Sequence, residues 1–149
     1  MGRLSEWWTW RLSSRTTTVC SSSSPWTSRW TTPRFSVSKE HLEEFTKNHC
    51  EIVGVTSDSP VAVKRWISKD VSRGGFGGPV GFSILTDKDL SLSMSMGVAR
   101  DCGAPARATF IIDWTGTVRY MMVHKSDIGR PVKEILRLVQ AFRHSDLTG

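Results

Sequence analysis

No run of apolar residues in these 149 positions approaches the roughly 20 needed to cross a bilayer, which excludes a membrane-spanning helix. Cysteine is scarce. Cys20, Cys50 and Cys102 supply neither an even set nor a close pair at zinc-ligand spacing, which argues against a disulfide framework and a structural zinc site. The sequence therefore predicts an intracellular chain with reduced thiols. Acid is almost absent from the first 34 residues, where five arginines stand against Glu6 alone. The glycine-rich stretch SRGGFGGPVG lacks the GK[ST] of a phosphate-binding loop and does not fit the dinucleotide pattern, so it is read as a flexible connector.

The net charge of +6 and the pI near 9.7 point at first to nucleic acid. The distribution argues otherwise. From Phe35 onward fifteen Lys and Arg face thirteen Asp and Glu, interspersed as on a solvated surface. A nucleic-acid footprint needs a clustered basic face with stacking aromatics, and none is visible.

Met1–Arg34 is rich in Ser, Thr, Arg and Trp, and holds five of the seven tryptophans (Trp7, Trp8, Trp10, Trp26, Trp30). No strand alternation or helical stripe runs through it, and its hydroxyl side chains compete for backbone hydrogen bonds, which favours turns. It is read as a targeting presequence, a disordered tail or a mis-specified segment such as an out-of-frame exon, with composition favouring the last. It lacks the apolar core of a secretory signal, and Glu6 stands where N-myristoylation needs Ser or Thr.

Residues 35–149 are predicted to form one α/β domain. Ser38 is placed to cap a short helix with Leu42 and Phe45 on its apolar face. Glu51–Thr56 reads as a β-branched strand, and Ser59-Pro60 as a helix start with Val63, Trp66 and Ile67 on one face. LSLSMSMG alternates with period 2 and reads as a strand, although Asp87 as a cap would also suit strand-then-helix. Thr109–Ile112 and Val118–Val123 read as a hairpin across Asp113–Gly116. Gly129-Arg130-Pro131 opens a helix whose Val132, Ile135, Leu136, Val139 and Phe142 share a face. This order describes an α/β sandwich with a mixed β-sheet.

FSVSKEHLEEFTKNHCEIVGVTSDS, GGFG, ILTD, RATFIID and DIGRPVKEILRLVQAF, in this order, resemble the typical two-cysteine peroxiredoxins, the thiol-specific antioxidant or thioredoxin-dependent peroxidase family. The resemblance covers about Phe35 to His144. It implies a thioredoxin-like fold, here incomplete on its N-terminal side, and a helix over Lys88–Met96 against the period-2 pattern. It implies reduction of hydrogen peroxide and organic hydroperoxides by a thiolate, with no cofactor and no metal. The resulting sulfenic acid is captured by a resolving cysteine, and the disulfide is reduced by thioredoxin.

By the same resemblance Arg107 in PARATFIID matches the arginine that faces the peroxidatic thiolate, and Arg130 in DIGRPV matches a second, supporting arginine. Cys50 matches a family cysteine that is not peroxidatic and is read as a small semi-buried hydrophobe. Counting back from Cys50 puts the peroxidatic position at Thr31, next to Trp30, with the motif's proline and threonine at Ser24 and Ser28. The following P-T-E becomes Thr32-Pro33-Arg34, and HSDLTG ends before the family's V-C-P. Thr17-Thr18-Val19-Cys20 resembles the last four motif residues, which makes Cys20 the candidate peroxidatic thiol; the competing reading, favoured here, is a cysteine in unpatterned chain.

The expected partners are a hydroperoxide substrate, thioredoxin, and peroxiredoxin copies in a homo- or hetero-oligomer, without nucleic acid or membrane. A cytoplasmic location is expected, with a mitochondrial one left open by the arginine- and serine-rich front. Two alternatives stand beside the enzyme: an inactive homologue that joins peroxiredoxin oligomers, and a non-functional gene product.

Overall fold

The computed structural model describes residues 17–23, 41–101, 103–124 and 131–149. Ser38 as a helix cap falls outside these residues. Five strands form one sheet, and the helices lie along the chain between and after them. In chain order the elements are β1 (Thr17–Ser23), α1 (Leu42–Lys47), β2 (Cys50–Thr56), α2 (Pro60–Ser68), a 3-10 turn (Val71–Arg73), β3 (Ser83–Thr86), α3 (Ser91–Ser95), β4 (Arg107–Ile112), β5 (Val118–His124) and α4 (Val132–Thr148).

The strand order is β3-β2-β1-β4-β5. β1 runs parallel to β2, and β2 to β3, whereas β4 is antiparallel to both β1 and β5. The sheet is mixed, as the sequence predicts. Its centre is the surprise. β1 comes from the serine- and threonine-rich front, where composition predicts turns, yet it hydrogen-bonds to β2 on one side and β4 on the other. Thr17, Thr18 and Val19 are β-branched and suit a pleated surface. The serines after them have ordinary backbone donors and acceptors, which two flanking strands satisfy along their length. A boundary at Phe35 therefore has a strand of this sheet on its N-terminal side.

Other elements follow their local signals. Pro60 opens α2, and Ser59 Oγ accepts the Ala62 amide at 3.3 Å, a capping bond at a fixed-φ start. α4 buries Val132, Ile135, Leu136 and Val139 at helical spacing, with Phe142 half-buried. The period-2 stretch is not a strand. Asp87, buried, reaches forward and accepts the amides of Leu92 (3.0 Å) and Ser93 (2.9 Å) and the Ser93 hydroxyl (2.6 Å). Those bonds satisfy the N-terminal amides of α3, so the capped helix outcompetes the alternating pattern.

The glycine-rich loop is not a loose connector either. The amides of Phe76, Gly77 and Gly78 donate to the carbonyls of Trp66, Lys69 and Ile67, each at 3.0 Å. Its backbone thus closes the C-terminal end of α2, and these three amides are not available to cradle a phosphate. A Cβ on Gly75 would lie 1.9 Å from the Lys69 carbonyl oxygen, which is why that position must be glycine. Phe76 then packs on Trp66 with ring centroids 5.2 Å apart.

The two faces of the sheet carry separate cores. Ile52 and Ile111 pack with Phe45 of α1 and with Ile135 and Val139 of α4. Ala108, Phe110 and Ile112 pack on the opposite side with Val55, Val98 and Ala106. Alternation along β4 sorts its residues between the two.

Candidate functional site

Arg107 begins β4 and is only 4% exposed. This differs from a surface strand arginine: a guanidinium taken out of water is costly unless its charge and donors are engaged. It pairs across the ladder with His124, and Thr109, two residues along, pairs with Met122 and Ser21. By strand alternation Arg107, Thr109 and Ile111 share one face, that of the α1–α4 core.

The pairing also locates the candidate thiols. Cys20 stands opposite Val53 on β2 and Phe110 on β4, in the middle of the central strand. Phe110 belongs to the other core, so the register puts Cys20 on the strand face that alternates with Arg107. Cys50 is buried with Ile52 and Ile111, on the face of Arg107, but at the far end. It pairs with Thr17, whose neighbour Thr18 pairs with Ile112. From Ile112 back to Arg107 is about 17 Å of strand. Its expected role as a small core residue agrees with this packing. By register Cys20 is the cross-strand partner of Phe110 rather than of Arg107, and Cys50 lies at the far end of the ladder from Arg107. Arg130, Cys102, Thr31, Trp30, Ser24 and Ser28 lie outside the described residues.

Two residues emerge that the sequence did not single out. Thr109 is fully buried, and its Oγ1 has no hydrogen-bond partner. His124 Nε2 is buried and likewise lacks one. Neither is marked by composition; only the ladder shows that both adjoin Arg107. Among the described residues no cluster of His, Cys, Asp and Glu could hold a metal ion. No described helix is long and apolar enough to cross a membrane.

Beyond β4, Asp113 organises the hairpin turn. Its Oδ1 accepts the amides of Thr115 (2.9 Å) and Thr117 (3.0 Å), and its other oxygen is 3.7 Å from Arg119. Burial pushes its carboxyl up, but the bonds from Thr115 and Thr117 and the Arg119 charge together outweigh that and leave it below the usual range. Arg119 also pairs with Asp146 of α4 at 3.1 Å and lies 5.0 Å over the Phe142 ring. β5 and the last helix are thereby held against each other, which fixes the strand that carries His124.

The family model described as AhpC/TSA matches residues 18–121, from β1 into β5. The chain belongs to the AhpC/TSA family. Within these peroxiredoxins, Peroxiredoxin-2 of Rattus norvegicus is 41% identical over 111 residues, 74% of this chain and 56% of the relative. Peroxiredoxin 2 of Drosophila melanogaster is 37% identical over 111 residues, covering 74% and 57%. The chain spans little more than half the length of these relatives. Among solved structures, the reduced 2-Cys peroxiredoxin of Plasmodium vivax superimposes with a TM-score of 0.83 at 26% identity, over 88% of this chain and 67% of that one. The mitochondrial 2-Cys peroxiredoxin of Plasmodium falciparum gives 0.83 at 27%, over 90% and 79%. The fold is the thioredoxin-like one that the sequence resemblance implies, and the match reaches into β1, inside the atypical front.

Proposed function

We propose that this chain is a thiol-dependent peroxidase of the peroxiredoxin type, with Arg107 as the residue that stabilises the reacting anion. The burial of Arg107 at the start of β4 carries this reading, because a fixed guanidinium in a water-poor site favours both a thiolate and a bound hydroperoxide. In the reaction the thiolate sulfur attacks one peroxide oxygen and the O–O bond breaks. The departing oxygen leaves as water or an alcohol after taking a proton, and the sulfur becomes a sulfenic acid. A second thiol condenses with it to a disulfide and releases water, and a dithiol reductant such as thioredoxin restores both thiols. Arg130 is assigned the supporting role.

The peroxidatic thiol is not assigned to Cys20, whose register is on the wrong face for Arg107. An assembly of several copies is proposed with it; Plasmodium yoelii Prx1a, modified at its N-terminus, forms an artifactual octamer. A cytoplasmic or mitochondrial location is proposed with it, a mitochondrial relative being known.

The test is stopped-flow mixing of the reduced protein with stoichiometric hydrogen peroxide, with free thiols counted afterwards. Peroxide-dependent loss of thiol, slowed about 100-fold or more in Arg107→Ala, is the expected outcome. A full thiol count after mixing would reject the reading.

A further inference from the structure

We propose that the solvent face of α2 and the turn after it form a docking surface for an acidic segment of a partner protein. Between Ser59 and Phe82 the chain carries Lys64, Arg65, Lys69 and Arg73 against Asp70 alone. All four cations are exposed. Among the described residues none of the four lies within ion-pair distance of a carboxylate, whereas Arg119 and Arg137 do.

Local structure gathers these charges. α2 turns Val63 and Trp66 inward, and Trp66 clusters with Phe76 and Val80. At helical spacing Val61, Lys64, Arg65 and Ser68 share the opposite face, and all are exposed. The chain past α2 folds back on its end through the amides of Phe76, Gly77 and Gly78. Lys69 and Arg73 are therefore held beside the last turn of the helix. Val71, between them, is 64% exposed, and Val61 is 60% exposed. The helix dipole favours a cation near a C-terminal end, which accounts for Arg65 and Lys69. It does not account for Lys64 and Arg73, nor for two valines left in water among like charges.

The chemistry of the surface selects its partner. Cations with small apolar side chains between them match a segment in which Asp or Glu alternates with residues the size of valine. Nucleic acid calls for aromatic side chains to stack on bases, and a membrane for aromatic anchors at its interface; the aromatics here, Trp66 and Phe76, are both buried. α2 is about 13 Å long, the span of about four extended residues, so the segment is short. The surface is also remote from Arg107. The Trp66 cluster takes in Ile84 of β3, and β2 and β1 separate β3 from β4 by about 14 Å across the sheet.

The experiment uses the full chain and a fluorescein-labelled peptide of repeated Glu-Glu-Val, read by fluorescence anisotropy, with a Gln-Gln-Val peptide as control. The acidic peptide is expected to bind, more weakly as salt is added, and the control is not. Lys64→Gln, Arg65→Gln, Lys69→Gln and Arg73→Gln together are expected to weaken binding by about tenfold or more. Lys47→Gln, Arg100→Gln, Lys133→Gln and Arg137→Gln together remove the same charge from exposed positions elsewhere and are expected to stay within about twofold of the wild type. Both variants are expected to keep the wild-type circular dichroism and the wild-type rate of peroxide consumption, since every substitution is on the surface. Equal weakening in the two variants would overturn the proposal. So would tighter binding of duplex DNA or of phosphatidylserine vesicles than of the acidic peptide.

Discussion

Cys20 and Arg107 belong to opposite faces of the sheet. Cys20 pairs with Phe110, whose core lies on one side, and Arg107 alternates with Phe110 along the same strand. A one-residue change of register would bring them to one face, but every pair from Thr18–Ile112 to Ser21–Thr109 keeps the same offset.

The first prediction follows from that relationship. Cys20→Ser is expected to leave the rate of peroxide consumption within about twofold of the wild type, while Arg107→Lys lowers it by about 100-fold. A lysine keeps the charge but loses the planar fork of donors. Initial rates under matched peroxide concentrations decide it, and a Cys20→Ser variant as impaired as Arg107→Lys would restore Cys20 as the nucleophile.

A second concerns the centre of the sheet. Because β1 is bonded on both sides, its backbone amides are expected to exchange with solvent as slowly as those of β4. Hydrogen exchange read by mass spectrometry on a peptide spanning Thr17–Ser23 tests this. Exchange there at the rate of an unstructured peptide would remove β1 from the sheet.

The Asp113 turn gives a third, through pH. Its carboxyl sits below the usual range in the folded state, so the folded protein binds its proton less readily than the unfolded chain does. The stabilisation is therefore complete above the unfolded-state value and is lost as the pH falls through the folded-state one. Asp113→Asn is expected to cost about 2 kcal/mol at neutral pH, the scale of hydrogen bonds to a charged acceptor. Urea melts at descending pH should show the gap between the two proteins closing; a gap independent of pH would mean that the charge of Asp113 contributes nothing.

Gly75 supplies a fourth. A methyl group there would overlap the Lys69 carbonyl, a backbone atom that cannot turn aside. Gly75→Ala is expected to destabilise the protein by about 2 kcal/mol or more and to speed exchange at the amides of Phe76, Gly77 and Gly78. Unchanged protection at those three amides would show that the loop does not close α2.

Much of the chain states its own structure. Ser59-Pro60 starts a helix because a hydroxyl and a fixed φ suit the first turn. Val132, Ile135, Leu136 and Val139 recur at the helical period, and the four residues of Asp113–Gly116 are enough to turn one strand back on another. RATFIID and its companions likewise carried the family, and Arg107 with it. In these places the deciding interactions lie within a few residues of each other, so sequence order and spatial order coincide.

What the sequence by itself determined, then, was the α/β class, the flanking helices, the hairpin and the family. Tertiary structure alone decided that TTVCSSS is the central strand, because its hydrogen bonds go to Cys50–Thr56 and Arg107–Ile112, far along the chain. LSLSMSMG, a strand by its period-2 pattern and a helix by the family resemblance, is a helix because a folded turn brings the Asp87 carboxylate to amides five and six residues ahead. Tertiary structure alone set Thr109 and His124 beside Arg107 and Cys20 away from it. Strand register governs which face a residue occupies, and register is fixed by pairing between distant segments, a quantity that no local pattern of residues contains.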